Sequence, residues 1–140
     1  MSHETILYGR ISGLHGTTDN WYDLYKFNKD IIDSLPFEDE WPPVIKSMFN
    51  SPLTMAGPTF HRAQIILFGA SFKNFDDSDH RKWLAKFEEL LKKMYWWDVI
   101  VHFDIELYGK YNHSWKATDE AIKEMWTLNP KPVTVWEYSE

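Results

Sequence analysis

The sequence predicts an α+β fold, a mainly antiparallel sheet of about four or five strands with helices packed on one face, within a single domain over residues 1–140. Three observations lead there. Residues 99–108 alternate apolar and polar side chains, the period of a strand with one buried and one wet face. Trp83, Leu84, Phe87, Leu90, Leu91 and Met94 recur at helical spacing, with Lys82, Lys86, Glu88, Glu89, Lys92 and Lys93 as a solvated face between them. The elements also come in a mixed order: strand, helix, short helix, strand, helix, strand, short helix, strand.

Residues 5–12 are rich in β-formers and read as the first strand, closed by Gly13. Thr18 and Asp19 are the best N-caps for the helix that follows. Trp21, Leu24, Tyr25, Ile31, Ile32 and Leu35 form its apolar stripe, Asn28 interrupts the stripe, and Pro36 marks its end. Residues 36–60 hold Pro36, Pro42, Pro43, Pro52 and Pro58. A short helix starting at Pro42 or Pro43 places Val44, Ile45, Met48 and Phe49 on one face and shortens an otherwise long loop. Ser51 to Thr59 reads as an irregular connection.

The run Ala63-Gln64-Ile65-Ile66-Leu67-Phe68-Gly69-Ala70 is apolar at both parities and reads as a central strand. Ser78 or Asp79 then caps the main helix. In the strand over 99–108, Val99, Val101, Phe103, Ile105 and Leu107 point inward, while Ile100, His102, Asp104, Glu106 and Tyr108 point outward. Residues 109–117 are a loop or a continuing edge strand. Thr118 caps a helix running to Leu128, and 132–138 form the last strand.

Composition narrows the function. With 15 Lys+Arg against 21 Asp+Glu, the charge of −6 favours a basic partner and opposes a polyanion. The basic residues form no stripe, so no nucleic-acid binding is expected. The absence of cysteine excludes disulfides and thiolate catalysis. No long apolar stretch suggests a membrane span, and residues 1–5 lack a secretory pattern, so a cytoplasmic protein without a membrane partner is expected. Eight tryptophans in 140 residues exceed what a small core needs, and the surplus is expected on a binding surface.

No common catalytic signature is present. Gly9, Gly13 and Gly16 are spaced GxxxGxxG rather than GxGxxG and read as turn glycines. The six histidines match no ligand spacing, so neither metal nor cofactor is expected. His102, Asp104 and Glu106 line up on one face of a strand. Such a row suits a metal or an acid–base pair, with His113 and Trp115 joining across a turn, but the alternation of an antiparallel strand with one wet face explains the pattern by itself. Three acidic–aromatic clusters complete the inventory: Glu38-Asp39-Glu40-Trp41, Phe75-Asp76-Asp77-Ser78-Asp79 and Trp136-Glu137-Tyr138-Ser139-Glu140. Aromatic anchors beside steering carboxylates suit a surface that plugs a basic site.

The segment Gln64-Ile65-Ile66-Leu67-Phe68-Gly69, the pair Trp96-Trp97 and the acidic loops give a small, acidic, cysteine-free chain. In size and character it resembles the bacterial immunity proteins of polymorphic toxin and contact-dependent inhibition systems. The resemblance implies no enzymatic activity, no catalytic residues to carry over, and a tight complex with a cognate toxin domain, often a nuclease. On that reading the partner contacts are Glu38, Asp39, Glu40, Trp41, Asp76, Asp77, Asp79, His102, Asp104 and Glu106. Two other readings stand beside it: a small-molecule-binding or small hydrolytic domain using His102, Asp104 and Glu106, and an adaptor subunit of a larger assembly.

Overall fold

The computed structural model describes residues 3–15, 21–50 and 63–140, with side chains described at 3–12, 23–50 and 65–140. Its elements are β1 (Glu4–His15), α1 (Trp21–Asp33), a 3-10 turn at Lys46–Met48, β2 (Phe49–Asn50), β3 (Ala63–Lys73), α2 (Asp77–Leu91), β4 (Asp98–Ile105), β5 (Gly109–Ala117), α3 (Asp119–Met125) and β6 (Trp136–Ser139). The fold is α+β. Its sheet has six strands in the order β2-β3-β1-β4-β5-β6, every neighbouring pair antiparallel, so the expected four or five is a slight undercount. The extra strand is β2, two residues that pair with Phe68 and Leu67.

Alternation decides which face the helices cover. Leu7, Ile11, Ile66, Phe68, Val99, Val101, Phe103 and Trp115 share one face and are buried under the helices. α2 contributes Trp83, Phe87, Leu90 and Leu91 to the same core. Trp83, Trp96 and Trp115 are fully buried, and each indole N–H donates to an oxygen within 3.0 Å: the carbonyls of Pro43 and Leu91 and a carboxylate oxygen of Glu88. That pairing lets a bulky ring with a polar edge enter a core. Trp97, Trp126 and Trp136 are half-buried, so among tryptophans with described side chains only Trp41 is exposed. The aromatic surplus is therefore mostly core rather than surface.

Several local expectations change. Pro42 and Pro43 start no helix. Ile45 is extended, the Val44 N–H donates to the Asp39 carboxylate at 3.0 Å, and only the Lys46–Met48 turn follows. The Trp41–Pro42 bond is cis. Asp76, not Ser78 or Asp79, caps α2: its carboxylate accepts from Asp79 N–H at 2.9 Å, and the Asp79 carboxylate accepts from Asp76 N–H at 3.1 Å. β4 stops at Ile105, and Leu107 is 84% exposed in a tight turn with φ 77°, not an inward strand residue. α3 ends at Met125, short of Leu128. β3 lies between β2 and β1 rather than at the centre. Thr18, Asp19 and the Ser51–Thr59 connection lie outside the described residues.

Gly9 is a mid-strand residue, not a turn glycine, and β1 runs past Gly13 to His15; Gly16 lies outside the described residues. A Cβ on Gly9 would sit 2.1 Å from the Ile100 carbonyl oxygen and 2.6 Å from the Phe68 ring. The bare backbone is what lets that ring approach β1 so closely.

The break in the α1 stripe also has a physical reason. Asn28 is fully buried; its Nδ2 donates to the Tyr95 carbonyl at 2.7 Å and its Oδ1 accepts from the Tyr95 N–H at 2.9 Å. One amide thus satisfies both backbone groups of a buried connection between α2 and β4. Asn28→Ala should cost about 2 kcal/mol, because it strands both groups. Chemical denaturation checks this, and a loss below about 0.5 kcal/mol would mean the connection finds other partners.

Candidate functional site

The sheet face opposite the helices is built by the alternate residues of the same strands. In register they form rows: Ser71, Ile6, Asp104 and Lys110; Gly69, Tyr8, His102 and Asn112; Leu67, Arg10, Ile100 and Ser114; Ile65, Ser12, Asp98 and Lys116. Ile6, Tyr8, Ile65 and Leu67 are 40–53% exposed, a contiguous apolar centre across β1 and β3. Beside it lies a depression of about 400 Å³ between Tyr8, Leu67, Ile100 and His102. At Arg10 the depression meets a wider groove of about 1000 Å³, bounded by Trp97, Lys116 and the first turn of α3.

Charges on this face are locally matched. Asp104 faces Lys110 and Asp98 faces Lys116 in register, and Arg10 reaches Asp98 at 3.4 Å while also donating to Ser12 at 2.5 Å. Ser12 in turn donates to the Asp98 carboxylate. Paired charges around an exposed apolar centre reproduce the anatomy of a protein interface. The apolar run in β3 reads differently in this light: Ile66 and Phe68 are core, whereas Ile65 and Leu67 face outward.

The sequence-picked residues fall in two places. His102 and Asp104 lie on the open face. Glu106 lies past the end of β4, where its carboxylate accepts from Glu4 N–H at 2.9 Å, so the expected row of three is a row of two. His102 Nδ1 lies 2.5 Å from Asn112 Oδ1, and the ring packs on Tyr8 with centroids 4.9 Å apart. His113 and Trp115 do not join it, because their parity in β5 turns them into the core. Glu38, Asp39, Glu40, Trp41, Asp76, Asp77 and Asp79 gather on the helix side instead. There the Trp41 ring meets Phe72 and Phe75 edge-on, at 5.4 and 6.1 Å.

Four of those carboxylates have structural partners, and Asp77 pairs with Arg81 one turn along α2 at 3.5 Å. Asp76 and Asp79 form the α2 capping box. Asp39 accepts from Val44 N–H and pairs with Lys86 at 2.9 Å; the backbone bond first, then Lys86, hold its carboxyl below the usual carboxylate range.

Sequence reading missed a second constellation. His80 of α2 and His113 of β5 are both buried, with their Nε2 atoms 2.7 Å apart. His113 Nδ1 lies 2.6 Å from the Tyr138 hydroxyl, which donates to Glu140 at 3.1 Å. Burial, then the neighbouring His80, lowers the His113 pKa to about 4; burial also lowers that of His80. Burial, reinforced by the bond to Glu140, pushes the Tyr138 phenol up to about 12. The available signal was parity: His113 shares the inward set of β5 with Trp115 and Ala117.

Among the described residues, no group of three His, Asp or Glu side chains is placed to hold a metal ion, and no helix is long and apolar enough to cross a membrane. Comparison with known proteins finds no matching family model, no matching characterised protein and no matching solved structure.

Proposed function

We propose that this chain is an immunity protein that neutralises a cognate toxin domain in the cytoplasm by covering it with the open face of its sheet. The observation that carries the reading is the exposed apolar centre of Ile6, Tyr8, Ile65 and Leu67 on the sheet face opposite α2. Contiguous apolar surface rimmed by polar residues marks a protein-binding site. The occupant it fits is a basic domain with its own apolar patch, since the net charge of −6 attracts cations at long range. The acidic loop 38–40 and the acidic start of α2 at 76–79 lie on the helix side, from which they add to the attracting field rather than to the contact.

The test is co-expression with the product of the adjacent upstream gene. Growth rescue and a co-purifying complex are expected. Leu67→Arg should weaken that complex about 30-fold or more, while changing stability by no more than about 0.5 kcal/mol. Reversing Glu38 and Glu40, which avoids the capping and ion-paired carboxylates, should slow association in low salt and leave dissociation unchanged. The absence of both rescue and a complex would sink the reading. The small-molecule alternative has one observation behind it, the depression beside His102, and requires a ligand-induced rise in melting temperature that Leu67→Arg removes.

A further inference from the structure

The hairpin between β4 and β5 turns through Glu106, Leu107 and Tyr108. A β-turn closes it, with the Tyr108 N–H donating to the Ile105 carbonyl at 3.0 Å. Leu107 holds the third position of that turn at φ 77°. Such a place favours glycine or asparagine, because a bulky side chain crowds the backbone at positive φ. Among the described residues, Asn74 and Leu107 are the non-glycine residues with positive φ, and asparagine tolerates it. Leucine does not, and burial offers no compensation, since Leu107 is 84% exposed. Tyr108 beside it is exposed as well.

The turn is firmly mounted. Glu106 N–H donates to the Glu4 carbonyl at 3.0 Å, and the Glu106 carboxylate accepts from Glu4 N–H at 2.9 Å, which ties the tip to the start of β1. The Tyr108 ring packs on His3 with centroids 5.9 Å apart. A side chain on so fixed a backbone loses little further freedom when it binds. Phe37 and Leu128 are comparably exposed, but neither sits at positive φ. The tip also adjoins the open face: Ile105 pairs with Thr5 and Gly109, and the next row along is Ile6, Asp104 and Lys110. At this corner the exposed carboxylates of Glu4, Asp104 and Glu106 outnumber Lys73 and Lys110, so it carries the sign of the whole chain.

We propose that Leu107 is an anchor that enters an apolar socket with a basic rim on the toxin domain assigned to the open face. The inference rests on that reading and extends the contact beyond the paired strands to the hairpin tip. Strain kept at an exposed residue calls for a use outside the fold, and an apolar side chain on a fixed mount has one in a partner's pocket. Cations around the socket meet the carboxylates of this corner as Leu107 and Tyr108 enter it. A basic domain fits this corner better than a second copy of the chain, which would bring a net charge of −6 against its own like.

The test measures melting temperature and affinity for the product of the adjacent upstream gene, using the whole chain and three variants. Leu107→Asn should melt about 3 °C higher, because asparagine relieves the strain. The same variant should bind about 30-fold or more weakly, so stability and affinity move in opposite directions. Leu107→Met keeps a flexible apolar side chain and should bind within about threefold of the natural chain. Leu67→Arg, run in parallel, separates the two readings. If Leu67→Arg weakens the complex and Leu107→Asn does not, the open face stands and the anchor is overturned. If Leu107→Asn weakens it and Leu67→Arg does not, the anchor stands and the open face fails. No complex with that product overturns both. A melting temperature for Leu107→Asn that is unchanged or lower overturns the proposal, because the leucine then costs the fold nothing. A self-associated species that Leu107→Asn disperses overturns it too, since the occupant is then a second copy.

Discussion

Trp83→Ala should destabilise the fold by about 4 kcal/mol, the largest single effect expected from a side chain here. The residue is fully buried at the centre of the helix–sheet contact. Its ring stacks on Phe87 at 4.9 Å and 17°, meets Phe103 edge-on at 5.7 Å, and lies 6.3 Å from Phe68. Truncation removes the transfer energy of an indole and leaves a cavity between rings too rigid to collapse into it. It also strands the Pro43 carbonyl, which accepts from Nε1 at 3.0 Å and holds the proline segment against α2. Trp83→Phe should separate the two contributions, costing about 1–2 kcal/mol for the lost hydrogen bond and a smaller void. Urea unfolding followed by far-ultraviolet circular dichroism measures both. A loss below about 1 kcal/mol for the alanine variant would remove Trp83 from the centre of the core.

Stability should also fall as pH drops from 6.5 to about 4, by on the order of 3 kcal/mol from His113 alone. The sign follows from proton counts. In the unfolded chain His113 takes up a proton near its ordinary value of 6.5, whereas the fold resists until about 4. Between those values the unfolded state binds more protons, so acid favours unfolding. Burial drives the difference, and the nearby His80 adds to it. The Asp39 carboxyl, lowered by the Val44 N–H and then by Lys86, acts in a separate window. Its contribution is intact above 3.8 and is lost only as pH falls toward its depressed value. Denaturation at a series of pH values from 7.5 to 4.5 isolates the histidine range, and His113→Gln should flatten the slope there. A wild-type profile already flat over that range would place His113 in contact with solvent.

The sequence reveals most where one periodicity dominates. The α2 stripe and the β4 alternation were readable because each element buries one side, and Thr118 was readable as the cap of α3 because a hydroxyl before an acidic turn has one good use. Segments governed by distant partners were opaque. Pro42 and Pro43 look like a helix start until Asp39 claims the Val44 N–H and Trp83 claims the Pro43 carbonyl, and neither claim is local. The apolar run of β3 could not say that Ile65 and Leu67 face away from the helices, because both parities are apolar and only the neighbouring strands break the tie. The acidic loops were visible as charge, but not as caps and ion pairs. The His80–His113 contact joins residues 33 positions apart across two elements, which no spacing rule captures.

The two outermost strands are short: β2 has two residues and β6 has four. β2 pairs with two of the eleven residues of β3 and β6 with four of the nine of β5, whereas β1 and β4 are paired along both sides. On the proposed reading, recognition by the open face proceeds through side chains that stand on this lattice of paired strands. Such a surface can change partners by substitution at Tyr8, Ile65, Leu67 or His102 without any alteration of the backbone beneath. Closely related chains sharing this scaffold would then differ in what they bind while keeping the same core, with diversity concentrated in the outward parity of β1, β3 and β4.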